Sequence, residues 1–253
     1  MKVKEITSAD NSEFKTFLKL TRARGIKKHG LALLSRPKHV REVLKDFPNQ
    51  CAGIILSDLK EISLEFGTED IPIYHLSSNL FRQVDLFDTG QPILLVRVPM
   101  FTQWHEEVWA KGCSLCIPFQ DPANVGAVIR SAAAFGVSRV VMLEEAAHPF
   151  LPKSVRVAGS ALFRVPLFQG PSLNEFKVSA GLVVTLSPDG RAIGGYRFPE
   201  TFCLVPGLEG PGLPENLRES TALAISMEPG VESINAALAT GIALYLWQIR
   251  LNN

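Results

Sequence analysis

From Cys113 to the end of the chain, short apolar stretches alternate with segments of helical periodicity. Six stretches predict strands, at about 113–119, 139–144, 161–166, 181–186, 202–206 and 221–227. Helices are predicted from about Pro122 to Gly136 and from about Glu232 to Leu251. Strands that alternate with helices form a mainly parallel sheet covered on both faces, and such sheets bind ligands at the carboxyl ends of their strands.

The first 100 residues show the same alternation on a smaller scale. A first helix is predicted after a cap at Ser8 or Asp10, and its apolar stripe consists of Phe14, Phe17, Leu18 and Thr21. A second helix opens at Arg36-Pro37, and strands are predicted at 51–56, 71–76 and 92–98. The segment from 101 to 112 breaks the periodicity and is expected to be a linker. We therefore expect two domains, an α/β domain at 1–105 and a larger α/β domain at 112–253.

Charge is distributed unevenly along the chain. Residues 1–45, called the basic segment below, hold 12 Lys and Arg against 4 acids, a net charge of +8. The rest of the chain carries −7, although the net charge of the whole is only +1. This asymmetry predicts a polyanion-binding arm, with a solvated lysine-rich helix as the alternative. The candidate RNA contacts are Lys15, Lys19, Arg22, Arg24, Lys27 and Lys28.

Composition and missing motifs exclude several classes of protein. A hydrophobic fraction of 46% argues against a disordered or fibrous chain. No apolar run of about 18 residues and no secretion signal is present, so we expect a cytoplasmic protein that does not enter a membrane. A lone Cys-x-x-Cys at 113–116 and five scattered histidines do not form a metal motif, and we expect buried thiols and no metal. The dinucleotide fingerprint GxGxxG is absent, which disfavours a dehydrogenase.

The last helix is apolar on nearly every face and rich in small residues, among them Ala236, Ala237, Ala239 and Gly241. A helix of this kind has to be covered all round, and small residues allow another helix to approach closely. We expect a homodimer interface to supply that cover.

Three loops combine glycine or proline with one or two polar side chains. They are DPANVG at 121–126, PGLEGPGL at 206–213 and MEPGVESIN at 227–235. Each alone is ordinary turn chemistry. The glycines of the second loop also let main-chain groups approach a planar ligand closely.

In order and spacing, the three loops resemble the three motifs of the SpoU branch of the SPOUT superfamily, which are S-adenosylmethionine-dependent RNA ribose 2'-O-methyltransferases. Motif one is DPANVGAVIRSAAAFGV (121–137), motif two LVPGLEGPGL (204–213) and motif three ISMEPGVESINAALA (225–239). The stretch KSVRVAGSALFRVPLF (153–168) is similar to the family's intervening region. The resemblance covers about 112–253, and the N-terminal unit is more loosely similar to the family's L30-like substrate-binding domain.

The resemblance implies a fold, a cofactor and a substrate class. The fold is a parallel α/β domain with a deep trefoil knot in its C-terminal part, and the assembly is an obligate homodimer. The cofactor is S-adenosylmethionine. Ribosomal RNA is the first choice of substrate, with transfer RNA as the nearest alternative, and a non-catalytic RNA-binding protein is the alternative of a different class.

The resemblance also assigns roles to individual residues. Catalytic or ribose-facing roles fall to Asn124, Arg130, Glu209, Ser233 and Asn235. Cofactor contacts, made mainly by backbone, fall to Leu186, Gly207, Leu208, Gly212, Ile225 and Ile234. Two positions depart from the family pattern, since Leu208 replaces a common Asn and Ser226 a frequent Pro.

The proton acceptor of the reaction has three readings. The family view makes Arg130 a general base, but a guanidinium with a pKa above about 12 does not normally take up a proton. We prefer a role for Arg130 in binding phosphate or polarising the hydroxyl group, with the proton leaving as the methyl group is transferred, assisted by solvent or a neighbouring acceptor. Glu209 is the second candidate acceptor, or it only orients Arg130 or Asn124 by hydrogen bonding.

Overall fold

The structure is a computed structural model that describes residues 3–57, 71–105, 111–176, 183–207, 214–217 and 220–251. The chain divides into two compact units. Unit 1 consists of residues 1–100 and 148–160, and unit 2 of residues 101–147 and 161–253.

The elements follow one another along the chain as alternating strands and helices. In chain order they are β1 (Val3–Ile6), α1 (Ser12–Lys19), α2 (Ala23–His29), β2 (Leu31–Leu34), α3 (Pro37–Asp46), β3 (Cys51–Ser57), β4 (Ile73–Leu76), α4 (Ser78–Val84), β5 (Ile93–Arg97), β6 (Thr102–Gln103), β7 (Gly112–Ile117), α5 (Pro122–Ala134), β8 (Arg139–Met142), α6 (Pro152–Ala158), β9 (Leu167–Gln169), β10 (Val183–Ala192), β11 (Thr201–Val205), β12 (Thr221–Ala224) and α7 (Ala236–Leu251). Short 3-10 turns lie at Pro48–Gln50, Gly159–Phe163, Ile193–Gly195 and Glu215–Leu217.

Unit 1 is built on a five-stranded mixed sheet in the order β1-β4-β3-β5-β2. Strands β1, β4 and β3 are parallel, whereas β5 runs antiparallel to both β3 and β2. Its core contains Phe14 and Phe17 of α1 and Leu80 and Phe81 of α4, packed on inward-facing residues of the strands. The 3 and 4 spacing of the apolar residues in α1 therefore serves to cover one face of the sheet.

The first helix differs in detail from the sequence expectation. Its cap is Asn11, whose side-chain oxygen accepts hydrogen bonds from the N–H groups of Glu13 and Phe14 at 2.9 and 3.2 Å, and not Ser8 or Asp10. The helix ends at Lys19. Thr21 lies in the turn that follows, and its hydroxyl donates a hydrogen bond back to the carbonyl of Leu18. The basic residues beyond this turn form a separate helix, α2, which the sequence analysis missed.

Residues 148–160 pack within unit 1, although they come from the C-terminal half of the chain. Helix α6 lies against β2, the hydroxyl of Ser160 donates to a carboxylate oxygen of Glu42 at 2.8 Å, and the guanidinium of Arg156 lies 4.2 Å from the ring centre of Phe87. Sequence periodicity carries no signal for such long-range packing, and the expected division of the chain did not anticipate it.

Unit 2 contains a seven-stranded sheet in the order β12-β10-β11-β7-β8-β9-β6. Every pair of neighbouring strands in it is parallel, so the expectation of a mainly parallel sheet is confirmed. The edge strand β6 lies within the segment expected to be a linker. Beside it, Trp104 is buried and stacks on Phe176 with ring centres 5.3 Å apart. Residues 106–110 of that segment lie outside the described part of the chain.

Two element predictions for unit 2 were wrong. The strand expected at 161–166 is partly a 3-10 turn, Gly159–Phe163, and the strand is β9, Leu167–Gln169. A short apolar run looks the same in a buried turn and in a strand, so periodicity could not separate the two. Helix α7 begins at Ala236 and not at Glu232, because the side chain of Asn235 accepts from the N–H groups of Ala237 and Leu238.

The cysteines of the Cys-x-x-Cys pair are buried free thiols, as expected. Cys116 lies next to Cys203 of β11, with sulfur atoms 3.9 Å apart. Burial is the main reason that the pKa values of Cys113 and Cys116 are raised well above the ordinary value. These thiols therefore stay protonated and act as small core residues.

Candidate active site

The three motif loops follow strands of one parallel sheet. Motif one follows β7, motif two extends from β11, and motif three follows β12. Because β7, β11, β10 and β12 are parallel neighbours, their carboxyl ends lie at the same edge of the sheet. This edge is where ligands bind in parallel α/β sheets.

Asn124 and Asn235 bring motif one and motif three into direct contact. Asn124 lies in the first turn of α5, which is capped by Asp121, and its side chain is 9% exposed. The side-chain N–H of Asn235 donates to the side-chain oxygen of Asn124 at 3.0 Å. The oxygen of Asn235 accepts from the N–H groups of Ala237 and Leu238 at 3.0 and 3.1 Å. One asparagine thus caps α7 and joins it to the start of α5, 111 residues earlier.

Replacing Asn235 with Ala should destabilise unit 2 by about 1–2 kcal/mol, because both the helix cap and the bond to Asn124 are lost. Urea unfolding followed by tryptophan fluorescence measures this, since residues 104, 109 and 247, the three tryptophans, all belong to unit 2. Asn235→Asp is the matched control: its carboxylate keeps the cap but cannot donate to Asn124, so it should recover most of the lost stability. Equal losses in the two variants would contradict a capping role.

Two further predicted polar residues, Arg130 and Ser233, are exposed. Arg130 is exposed on α5, six residues after Asn124, which corresponds to about 9 Å along a helix axis and about two thirds of a full rotation. The two side chains therefore leave the helix in different directions. Ser233 is exposed in the segment that precedes α7.

The predicted cofactor residues surround the ends of β10 and β11. Leu186 is buried in β10, and Gly207 follows β11. A Cβ atom at Gly207 would lie 2.6 Å from the carbonyl oxygen of Leu186, closer than van der Waals contact allows. Ile225 and Ile234 are half-buried in the loop after β12. Leu208, Glu209 and Gly212 lie outside the described residues.

The six candidate RNA-binding residues of the basic segment are all exposed, on α1, α2 and the turn between them. Lys15 forms an ion pair with Asp10 at 2.8 Å. Lys27 and Lys28 lie in the last turn of α2, which ends in a left-handed residue, Gly30, with φ of 62°. A positive surface formed by exposed side chains is the arrangement that phosphate binding requires.

His148 lies close to this basic surface, and the sequence analysis missed it. Its Nδ1 accepts a hydrogen bond from the backbone N–H of Phe150 at 3.2 Å. Burial, and second the positive charge of Lys27, lowers the pKa of His148 from 6.5 to about 4. The imidazole is therefore neutral at physiological pH.

Unit 1 should lose stability as the pH falls from 6.5 towards 4. In this window the unfolded chain binds a proton at His148 that the folded chain excludes, which amounts to about 2 kcal/mol at pH 5. Hydrogen exchange of peptides from unit 1, at pH 7 and pH 5, measures the effect. In His148→Asn, which keeps an acceptor for Phe150 and cannot titrate, this part of the pH dependence should disappear. A variant as acid-sensitive as the parent chain would show that His148 is not its source.

The described part of the chain shows neither a membrane span nor a metal cluster. No helix there is long and apolar enough to cross a membrane. Over the same residues, no group of three or more His, Cys, Asp or Glu side chains is placed to hold a metal ion.

Comparison with known proteins identifies the family of this site. The profile of the SpoU rRNA Methylase family matches residues 115–245. The 23S rRNA (guanosine(2553)-2'-O)-methyltransferase RlmP of Bacillus subtilis is 30% identical over 251 residues, covering 96% of this chain and 98% of that protein. The ribosomal RNA small subunit methyltransferase G 2 of Syntrophobacter fumaroxidans is 43% identical over 245 residues, and the match covers 96% of this chain but only 49% of that relative.

A solved structure agrees on the fold. The AdoMet-bound rRNA methyltransferase of Sinorhizobium meliloti has a TM-score of 0.79 to this chain, with 98% of each chain covered and 23% identity. At this identity the likeness shows the fold alone.

Fold and site together define an α/β protein with a binding edge at the carboxyl ends of parallel strands, where widely separated polar loops meet. The chain belongs to the SpoU rRNA Methylase family.

Proposed function

We propose that this chain transfers a methyl group from S-adenosylmethionine to a ribose 2'-hydroxyl of ribosomal RNA. The observation that carries the proposal is the hydrogen bond from Asn235 to Asn124, which joins two of the three family motifs at the binding edge of the sheet. We take the RNA substrate and the methylated 2'-oxygen from the name of the Bacillus subtilis relative, because that protein matches this chain over nearly its whole length. A cytoplasmic location is part of the proposal.

The edge of the sheet fits S-adenosylmethionine. At Gly207, just after β11, the main chain lies so close to the Leu186 carbonyl that a side chain has no room there. Such an arrangement presents backbone donors and acceptors to the edge of an adenine ring. We assign the cofactor contacts to Leu186, Gly207, Ile225 and Ile234, together with Leu208 and Gly212. When bound, S-adenosylmethionine supplies an electrophilic methyl group on a positively charged sulfur.

The polar residues position the RNA. The oxygen of Asn124 accepts a hydrogen bond from Asn235, which fixes the orientation of the Asn124 amide at the carboxyl edge of the sheet. Because α5 and α7 hold the pair through a cap and a buried turn, the pair is fixed before substrate arrives. Fixed orientation of reactants contributes up to about 7–11 kcal/mol to such reactions.

Arg130, Ser233 and Glu209 complete the proposed catalytic set. The exposed guanidinium of Arg130 binds a phosphate or polarises the 2'-hydroxyl, since a guanidinium stays protonated and does not act as a base. Ser233 adds a hydroxyl next to Asn235. Glu209 is the candidate acceptor for the proton that leaves the 2'-hydroxyl.

The basic segment is assigned the phosphate contacts of the substrate, as part of an L30-like RNA-binding domain at 1–105. Its six candidate RNA-binding side chains are exposed, and Lys27 and Lys28 are consecutive residues in the last turn of α2. Phosphate contacts of this kind position an RNA without reading its sequence.

Reversing the charge of both Lys27 and Lys28 to Glu should weaken binding to ribosomal RNA by at least about tenfold at low salt. Each lost phosphate contact also flattens the plot of log affinity against log salt concentration by about 0.7–0.9. Filter binding over a range of salt concentrations measures both effects. Lys45→Glu, at the far end of the segment and outside the candidate contacts, controls for charge alone. An unaltered slope would mean that α2 is only a solvated surface.

We also propose the trefoil knot and the homodimer that the family resemblance implies. The knot would be formed by the motif-two and motif-three segments of 112–253. Helix α7 supports the dimer, because Leu238 and Tyr245 are 57% and 51% exposed in the single chain. A second copy would cover this apolar face. Sedimentation of the full chain measures the dimer, and a monomer at micromolar concentration would contradict it.

Labelled methyl transfer tests the proposed function. The full chain is incubated with S-adenosylmethionine carrying a labelled methyl group and with ribosomal or transfer RNA from a strain lacking the gene. We expect label at one ribose 2'-oxygen of ribosomal RNA. The RNA of the deletion strain should lack a methyl group at this position before the reaction. Label in transfer RNA alone would show that transfer RNA, and not ribosomal RNA, is the substrate. No calorimetric binding of the cofactor at millimolar concentration would favour the non-catalytic RNA-binding alternative.

A further inference from the structure

The connection between β10 and β11 carries an open pocket that the three family motifs do not include. Its volume is about 340 Å³. It is lined by Arg191, Ala192, Gly195, Tyr196 and Arg197. All five residues belong to a segment that the sequence analysis left without a role.

The pocket borders the proposed active site. Strand β10 loses register with β12 after Leu186, and it pairs again where Arg191 and Ala192 meet Leu223 and Ala224. Leu223 and Ala224 are the last residues of β12, and motif three begins at the next residue, Ile225. The backbone of Arg191 is therefore fixed at the carboxyl end of the sheet, one residue from the start of a proposed cofactor loop.

Arg191 and Tyr196 form a stacked platform. The guanidinium carbon of Arg191 lies 4.5 Å from the centre of the Tyr196 ring. The Tyr196 ring meets Phe198 edge-on, with centres 4.9 Å apart and planes at 77°. The ring is thus held in place, and the Arg191 side chain that lies over it is exposed. Guanidinium planes and aromatic rings are the groups on which proteins stack unpaired RNA bases.

The pocket also carries positive charge. No ion pair among the described residues uses Arg191 or Arg197. Glu200, the next acid along the chain after Arg197, pairs with Lys111 at 2.6 Å. The pocket is therefore locally positive, although the chain beyond residue 45 carries a net charge of −7. A planar guanidinium binds a phosphate with two parallel hydrogen bonds.

We infer that this pocket binds a nucleotide of the RNA substrate that neighbours the methylated one. Arg191, supported by Tyr196, stacks on the base, and Arg197 binds a phosphate. The inference rests on the proposed function, because it places an RNA strand at the carboxyl edge of the unit 2 sheet. It adds a contact that selects an unpaired base beside the reacting ribose.

Two labelled probes separate stacking from charge: a single-stranded uridine decamer and a decamer of abasic ribose phosphate. Fluorescence anisotropy with the full chain, without S-adenosylmethionine, measures affinity. Arg191→Ala should weaken binding of the uridine decamer about tenfold and that of the abasic decamer about threefold or less. Arg191→Lys keeps the charge, so it should bind the abasic decamer like the parent chain and still lose affinity for the uridine decamer.

Arg197→Ala should weaken binding of both probes equally and lower the salt slope by about 0.7. It lies outside the strands, so it remains a test if Arg191→Ala fails to fold. Arg164→Ala, an exposed arginine of unit 2 outside the pocket, removes the same charge and should have neither effect.

Two outcomes would overturn the inference, and a third would overturn the proposed function. Equal effects of Arg191→Ala and Arg164→Ala on the affinity for both probes would show that Arg191 does not stack on a base. A weaker calorimetric affinity of Arg191→Ala for S-adenosylmethionine, with unchanged RNA affinity, would assign the pocket to the cofactor. Failure of the parent chain to bind either probe would instead count against the proposed function itself.

Discussion

Arg130→Ala should lower the rate of methyl transfer by about 10²–10³-fold while it leaves the affinity for S-adenosylmethionine unchanged. This is the usual effect of removing one fixed donor that acts on a developing charge. The expectation follows from the exposed position of Arg130 on α5, on a different side of the helix from the buried Asn124. Single-turnover transfer measures the rate, and calorimetry measures the cofactor affinity.

Kinetics can separate the two roles that we assign to Arg130. If the guanidinium binds a phosphate, Arg130→Ala raises KM for RNA and lowers the salt dependence of binding. If it polarises the 2'-hydroxyl, kcat falls and KM stays the same. Arg130→Lys keeps the charge but not the planar pair of donors, so it should fall between the parent chain and the alanine variant. A variant with the parent's kcat and KM would refute both roles.

The sequence predicted the parallel sheet of unit 2 because buried parallel strands are continuous apolar runs, which stand out in any sequence. It also predicted the opening of α3, since Pro37 at its first position is a local signal. Local signals failed where several were in competition. Ser8, Asp10 and Asn11 can all cap a helix, and only the chain path shows that Asn11 does so.

Other missed features depend on residues far apart in the chain. The contact of Ser160 with Glu42 joins positions 118 residues apart, and nothing near either residue indicates it. The register break in β10 depends on which strand pairs with Arg191, and pairing is a property of the sheet. The candidate site shows the same division. The family motifs singled out Asn124 and Asn235 separately, whereas the hydrogen bond between them required the fold.

Gly207→Val should lower kcat/KM for methyl transfer by about a hundredfold or more. The new Cβ would lie 2.6 Å from the Leu186 carbonyl oxygen, and the main chain fixes the positions of both atoms. Because no side-chain rotation can relieve the contact, the end of β11 or of β10 has to move. A displacement of about 1 Å at a site that orients reactants is enough for a loss of this size. The affinity for S-adenosylmethionine should fall with the rate, since the moved backbone is the proposed cofactor cradle.

Gly194→Ala is the matched control for this variant. It lies in the connection between β10 and β11, and a Cβ atom there would have no neighbour within 4 Å. It should therefore keep both the cofactor affinity and the transfer rate. Tryptophan fluorescence shows whether unit 2 of the Gly207→Val chain is folded, and calorimetry measures its affinity for S-adenosylmethionine. A folded variant that binds the cofactor as tightly as the parent chain would place the cofactor elsewhere on the sheet edge.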